Sequence, residues 1–94
     1  MSYKLVFKEQ ALKEWKKLDS TVQAQFKKKL QERMVEPCIE SAKLKGLEDC
    51  YKIKLRGVGF RLVYQVRKQA LIVSVIAVGK RERNQVYQSA SKRL

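Results

Sequence analysis

The stretch YKIKLRGVGFRLVYQV, residues 51–66, predicts two strands joined by a tight turn. In its first half three cations alternate with three core-type side chains: Lys52, Lys54 and Arg56 against Tyr51, Ile53 and Leu55. This period of two places the cations on one face of a strand. A turn at Gly57-Val58, with Gly57 as its first central residue, sets Arg61 opposite Lys54 on that face. Because like charges facing each other destabilise a strand pair, the cationic face indicates a polyanionic ligand such as RNA or DNA.

The charge of the chain supports the same class of ligand. Its 94 residues include 22 Lys and Arg against nine Asp and Glu, a formal net charge of +13. Residues 1–49 hold eleven basic and eight acidic side chains, whereas residues 50–94 hold eleven basic ones and Glu82 alone. Such a field favours contacts with phosphate. An anionic membrane surface fits less well, because the cations lie on predicted strands rather than on one long amphipathic helix.

Length and composition predict one domain, residues 1–94, in the cytoplasm. No linker, repeat or low-complexity tract divides the chain, and no apolar stretch reaches the roughly 18 residues of a membrane span. The N-terminus, MSYKLVFKEQ, contains no signal-peptide hydrophobic region. Cys38 and Cys50 are isolated and the chain has no histidine, so we expect two free thiols and no metal site.

Apolar spacing in the first part of the chain predicts a strand at residues 3–7 and then two helices. The first helix is indicated by residues at helical spacing: Ala11, Leu12, Trp15 and Leu18. Ser20 followed by Gln23 matches a capping box for the second helix, which Pro37 ends. The cations of the second helix are interpreted as a solvated face: Lys27, Lys28, Lys29 and Arg33.

The remainder predicts strands at 50–56, 60–67 and 71–78, joined by short turns and therefore antiparallel. The last strand is apolar on both faces and reads as a central strand that ends at Gly79. A loop, KRER, then leads to a short helix capped by Asn84, with Val86, Ala90 and Leu94 as its packing stripe and Tyr87 facing the cationic sheet. The predicted fold class is α+β: a small antiparallel sheet of about four strands, two N-terminal helices on one face and a short C-terminal helix.

The chain lacks the residues of most hydrolytic active sites. It has no histidine, no paired carboxylates, no phosphate-binding Gly-rich loop and no nucleophile elbow. Its basic half offers Glu82 alone as a carboxylate ligand for a metal. Cleavage of RNA remains feasible, because RNA supplies its own nucleophile in the 2′-hydroxyl and the protein need only position it and stabilise charge.

The chain also contains a set of motifs in a fixed order: YKIKLR, GFRLVY, GKRER and a tyrosine six residues after the first arginine of GKRER. ALKEWKKL, KLKGLEDC and the tail SASKRL accompany them. This set resembles the RelE family of bacterial toxin–antitoxin ribonucleases over nearly the whole chain. The resemblance implies a fold related to small microbial ribonucleases and a toxin, without cofactor, that cuts messenger RNA in the ribosomal A site. It also implies an acidic, RelB-like antitoxin that silences the toxin and brings it to operator DNA.

The resemblance assigns the catalytic positions to five side chains: Lys52, Lys54, Arg61, Arg81 and Tyr87. We expect contacts with RNA or the ribosome from six others: Lys43, Lys45, Arg56, Phe60, Lys80 and Arg83. Phe60 stands where a tyrosine is common in the family and Lys45 where an arginine is common, which bears on auxiliary contacts only.

The roles of the five positions are hypotheses. Lys54 is the candidate general base, because crowding by Lys52 and Arg61 disfavours a protonated lysine. Tyr87 is the competing base, although we favour stacking of its ring on a base of unpaired RNA. Arg61 is expected to hold charge on the phosphate. Arg81, which the family places near the leaving 5′-oxygen, should stabilise charge first, since guanidinium hardly deprotonates.

Two other functions are compatible with the sequence. A toxin of the same fold that poisons DNA gyrase, as ParE-type proteins do, cleaves nothing, and the presence of Arg61, Arg81 and Tyr87 argues against it. A non-catalytic RNA- or DNA-binding module accounts equally well for a net charge of +13. The motif positions of Arg81 and Tyr87 disfavour this alternative.

Overall fold

The computed structural model describes residues 3–80 and 85–94, which form four strands and three helices. In chain order these are β1 (Lys4–Phe7), α1 (Glu9–Lys16), α2 (Ser20–Val35), β2 (Cys50–Leu55), β3 (Phe60–Arg67), β4 (Ile72–Lys80) and α3 (Gln85–Arg93). A 3-10 turn at Glu40–Ala42 lies in the connector between α2 and β2. Within the two described ranges, every helix is too short or too polar to cross a bilayer.

The four strands form one sheet in the order β1-β4-β3-β2. The pairs β2–β3 and β3–β4 are antiparallel, as predicted, but β1 runs parallel to β4, with Leu5 paired to Val73. The prediction of a wholly antiparallel sheet was therefore wrong. Short turns determine the directions of β2, β3 and β4, whereas two helices separate β1 from them and remove that constraint. With β1 on one side and β3 on the other, β4 is the central strand that its composition predicts.

Helices pack on both faces of the sheet. α1 and α2 pack on one face around a core that includes Trp15, Phe26 and Leu30. α3 covers part of the other face with Val86 and Ala90. α3 ends one residue before Leu94, which is 48% exposed, so the predicted packing stripe ends at Ala90. The predicted cap Asn84 lies outside the described residues.

The predicted capping box of α2 is wrong by one position. The N-cap is Asp19, whose Oδ1 accepts a hydrogen bond from the Thr21 N–H at 3.2 Å. Ser20 is already helical, and Gln23 Nε2 instead donates to the carbonyl of Trp15 at 2.8 Å. Aspartate and serine are equally good N-caps, so spacing alone does not choose between two adjacent candidates.

Arg33 is not part of a solvated face, although Lys27, Lys28 and Lys29 are exposed as predicted. Its Nη1 donates to the Tyr64 hydroxyl at 2.9 Å and to the Lys52 carbonyl at 3.2 Å. The Tyr64 hydroxyl in turn donates to the Pro37 carbonyl at 2.7 Å. The end of α2 lies over β2, and this network ties the two together behind Lys52.

We expect Tyr64→Phe to lower the free energy of unfolding by roughly 1–3 kcal/mol, because the buried Pro37 carbonyl and the Arg33 guanidinium lose a partner. Urea denaturation measures this loss, provided that the variant and the parent have the same m value. Tyr51→Phe is the matched control: its ring stacks on Tyr64 with centroids 5.7 Å apart, whereas the hydrogen bonds of the network run through Arg33, Tyr64 and Pro37. Equal losses in the two variants would contradict the network's role.

Candidate functional site

The cationic face predicted for the first hairpin lies on the side of the sheet opposite α1 and α2. Lys54 and Arg61 are direct cross-strand partners, which confirms the predicted register. Lys52 is half-buried and pairs with Val63 on the same face. The alternate residues of β2 pack into the core beneath α1 and α2: Tyr51, Ile53 and Leu55.

The turn that joins β2 and β3 differs from the predicted one. Its left-handed residue is Gly59, with φ of +70°, and the Gly59 N–H bonds to the Leu55 carbonyl at 2.9 Å. Gly57 does not adopt the positive φ that the first position of a two-residue loop requires. The turn therefore spans residues 56–59, and Arg56 is exposed within it rather than on the strand. The register is unchanged because both turns place the same residues opposite each other.

A β-bulge in β4 determines what lies beside Arg61. The pairs on its two sides are Val63 with Ala77 and Tyr64 with Val75. Ile76 is thus an extra residue, and the alternation of β4 reverses beyond it. This brings Gly79 onto the site face, directly opposite Arg61. The sequence was interpreted as a strand that ends at Gly79, but β4 continues to Lys80.

α3 places the ring of Tyr87 against Arg61. The Arg61 Cζ lies 5.2 Å from the ring centroid, within the range of a cation–π interaction. The helix packs on Gly79, where a Cβ would lie 3.4 Å from Val86 Cγ2, at ordinary van der Waals distance. The Tyr87 hydroxyl is buried and has no hydrogen-bond partner among the described residues. Support of Arg61 is a role for this ring that the sequence did not suggest.

Lys54 and Arg61 border a pocket of about 320 Å³, whose other lining residues are Leu55, Arg56 and Phe60. Several cations around a small concave surface favour an anionic group such as phosphate. Lys80 is exposed at the end of β4, where it pairs with Phe60. Arg81 and Arg83 lie outside the described residues.

Lys43 and Lys45, two of the predicted contacts, lie in the connector before β2. Both are exposed. Leu44 and Leu47 of the same segment pack against the cluster that Tyr87 joins, so the segment covers part of the site face. The two lysines therefore flank the cationic face without lining its pocket.

Two other titratable groups of β2 are poorly suited to catalysis. Burial, with a smaller contribution from the Asp49 carboxylate, raises the pKa of the Cys50 thiol to about 11, which leaves it protonated at neutral pH. Burial likewise raises the pKa of Tyr51 to about 12. Across residues 3–80 and 85–94, no group of three or more His, Cys, Asp or Glu side chains is placed to hold a metal ion. Cys38 and Cys50 are free thiols, as predicted.

Comparison with known proteins identifies the family. A family model described as the ParE toxin of the type II toxin–antitoxin system parDE matches residues 5–85. The mRNA interferase toxin RelE of Escherichia coli K12 is 60% identical over 94 residues, which cover 100% of this chain and 99% of that protein. This chain belongs to the RelE family of toxins. A protein of Shigella flexneri named mRNA interferase RelE has the same identity and coverage.

Solved structures of RelE toxins agree with the fold. The free state of an E. coli toxin RelE with two arginines replaced by alanine matches with a TM-score of 0.93 and 57% identity, covering 100% of this chain and 99% of that one. A chain of the intact E. coli RelBE toxin–antitoxin complex matches with a TM-score of 0.84 and 60% identity, covering 87% of this chain and 100% of that one. The resemblance inferred from the motifs is therefore confirmed.

Proposed function

We propose that this RelE-family protein is the toxin of a type II toxin–antitoxin system and a ribosome-dependent endoribonuclease that cleaves messenger RNA in the ribosomal A site. The observation that carries the proposal is the placement of Arg61, which faces Lys54 over a pocket of about 320 Å³ and lies 5.2 Å from the Tyr87 ring. Full-length identity of 60% to proteins named mRNA interferases supports it. The matching family model is named for ParE, so a ParE-like gyrase poison that cleaves nothing is the second candidate.

In the proposed reaction the 2′-oxygen of the RNA attacks the adjacent phosphorus, and the 5′-oxygen of the next nucleotide leaves. Lys54 is the better-placed base for the 2′-proton, because its side chain is exposed beside the pocket whereas the Tyr87 hydroxyl is buried. Arg61 stabilises the charge that develops on the phosphate, with Lys52 adding to the positive field. Arg81 stabilises the charge on the leaving 5′-oxygen, which takes its proton from water, while the base returns the 2′-proton to solvent. The products are a 2′,3′-cyclic phosphate end, or a 3′-phosphate end once water has opened the ring, and a 5′-hydroxyl.

The chemistry needs no metal, because the RNA supplies the nucleophile and the cations stabilise the charge. It does need alignment, since the chain has no histidine to act as an efficient acid–base pair. We assign that alignment to the ribosome. The proposed contacts with ribosomal or messenger RNA are the cations around the pocket and the ring at its border: Lys43, Lys45, Arg56, Lys80, Arg83 and Phe60.

The proposed partner that silences the toxin is an acidic, RelB-like antitoxin, as charge complementarity to a chain of net charge +13 favours. A relative is found in the intact E. coli RelBE toxin–antitoxin complex, which supports an antitoxin partner. We expect the complex of this toxin with its antitoxin to bind operator DNA and to repress its own operon. We do not expect the toxin alone to bind operator DNA. The protein would act in the cytoplasm, where messenger RNA is translated.

Primer extension on messenger RNA, incubated with the purified chain in the presence and absence of ribosomes, tests the function. Cuts at a constant position within codons that require ribosomes are the expected result. Cuts without such phasing on free RNA would indicate a ribosome-independent ribonuclease. An absence of cuts under both conditions would favour a gyrase poison or a binding module. An assay of DNA supercoiling by gyrase distinguishes these two, because only a gyrase poison would inhibit it.

A further inference from the structure

An ion pair fastens the C-terminal helix α3 to the rest of the domain. Arg93 Nη1 and Nη2 donate to Glu14 Oε1 and Oε2 at 2.8 and 3.1 Å, a bidentate geometry. Arg93 Nη1 also donates to the carbonyl of Ile76 at 2.9 Å. Glu14 Oε1 accepts a further hydrogen bond from the Val78 N–H at 3.3 Å. The pair therefore joins α1, β4 and α3 at one point.

This pair lies along the edge of β4 where β1 has ended. β1 pairs with β4 only as far as Val75, so the edge of the central strand lacks a partner strand beyond that residue. Arg93 supplies a donor to the Ile76 carbonyl, and Glu14 supplies an acceptor to the Val78 N–H. The two side chains thus continue the hydrogen bonding that a longer β1 would provide.

α3 is a short helix with two buried side chains. The helix has nine residues, a length that is marginal in isolation, and it buries Val86 and Ala90. Its last turn carries Arg93, of which 17% is exposed, and Lys8 Nζ donates to the Arg93 carbonyl at 3.3 Å. Tyr87 lies in the first part of the same helix. An anchor at the end of α3 therefore restricts where the Tyr87 ring can lie.

We propose that Glu14 and Arg93 form a latch that docks α3 on the sheet and thereby holds the Tyr87 ring against the Arg61 guanidinium. Both are positioning residues, because neither lines the pocket beside Lys54 and Arg61. The effect of the latch on cleavage rests on the proposed function. The docking of α3 by the latch can be true even if the proposed function is wrong.

Hydrogen exchange measures the docking independently of cleavage. In Arg93→Ala the amides of residues 85–93 should exchange about tenfold faster or more, as loss of a charge-assisted pair implies, while those of β3 keep their protection. Lys92→Ala, which removes the same charge from an exposed position on the same helix, should leave exchange unchanged. Arg93→Lys keeps the charge but not the bidentate fork, so its exchange should be intermediate. Parent-like exchange of 85–93 in Arg93→Ala would overturn the latch.

The acidic side of the latch has its own matched pair of variants. Glu14→Gln removes the charge that faces Arg93, whereas Glu9→Gln removes a charge from an exposed position of α1. The first should raise exchange of 85–93 and the second should not. Both changes are conservative, so this comparison stands even if Arg93→Ala fails to fold, and equal behaviour of the two variants would count against the proposal.

Single-turnover cleavage on programmed ribosomes tests whether the latch acts through Tyr87. Arg93→Ala should slow the parent about tenfold but slow a Tyr87→Ala protein by no more than about twofold, because coupled residues are not additive. An equal loss in both backgrounds would show that Arg93 does not act through the ring. If the parent cleaves nothing, the proposed function fails. In that case the NMR signal of the Arg61 Nε–H group, which is sensitive to the nearby Tyr87 ring, tests whether the latch positions the ring. The latch requires the chemical shift of this signal to change in Arg93→Ala and to stay unchanged in Lys92→Ala.

Discussion

Arg61→Ala is expected to slow messenger-RNA cleavage on programmed ribosomes by roughly 10²–10³-fold, the loss that follows removal of one preorganised charge-stabilising donor. Arg61 is preorganised because its backbone pairs with both Lys54 and Gly79 and its guanidinium lies 5.2 Å from the Tyr87 ring centroid. Arg61→Lys keeps the charge but loses the planar fork, so its rate should be intermediate. We expect a loss of the same size from Arg81→Ala.

Arg67 provides the matched control for Arg61. It is exposed at the far end of the same strand, so Arg67→Ala removes an equal charge from the overall field without touching the pocket. Its cleavage rate should stay within about threefold of the parent, as expected for a remote surface charge. Single-turnover rates at saturating toxin separate chemistry from binding. Parent-like cleavage by Arg61→Ala would show that the cationic face binds RNA but takes no part in the cleavage step.

The second large effect is expected at Tyr87. Tyr87→Phe keeps the ring against Arg61 and should retain most of the activity, whereas Tyr87→Ala should lose about tenfold or more, because the cation–π contact and the packing of the ring disappear. General-base catalysis by the phenol predicts a different pattern, in which both variants lose around 10²–10⁴-fold. A Phe variant as slow as the Ala variant would move the base role from Lys54 to Tyr87.

A double variant distinguishes support of Arg61 from stacking on an RNA base. If the ring acts by holding Arg61, Tyr87→Ala should add little to the loss already caused by Arg61→Ala. If the ring stacks on the RNA, the two losses should multiply, because stacking does not require the guanidinium. This double-mutant cycle is measured as single-turnover cleavage by the parent, the two single variants and the double variant.

Local patterns predicted the parts of the fold that neighbouring residues determine. Alternation along residues 51–66 and the short turn placed Lys54 opposite Arg61, and this register held although the turn uses Gly59 rather than Gly57. Tyr87 was correctly predicted to face the cationic sheet, because helical spacing puts it beside the buried Val86. Arg33 was misjudged, since nothing in its helix indicates that its side chain reaches Tyr64.

By itself, the sequence determined the strand order of the hairpin, its register, its cationic face and the family, because each depends on residues close in the chain or on motifs matched position by position. Only the tertiary structure decided the parallel direction of β1, the bulge that turns Gly79 toward Arg61, and the contact of Arg93 with Glu14. Arg93 and Glu14 are 79 positions apart, and no local period relates them. Their meeting depends on where β1 ends beside β4, which only the packed sheet defines.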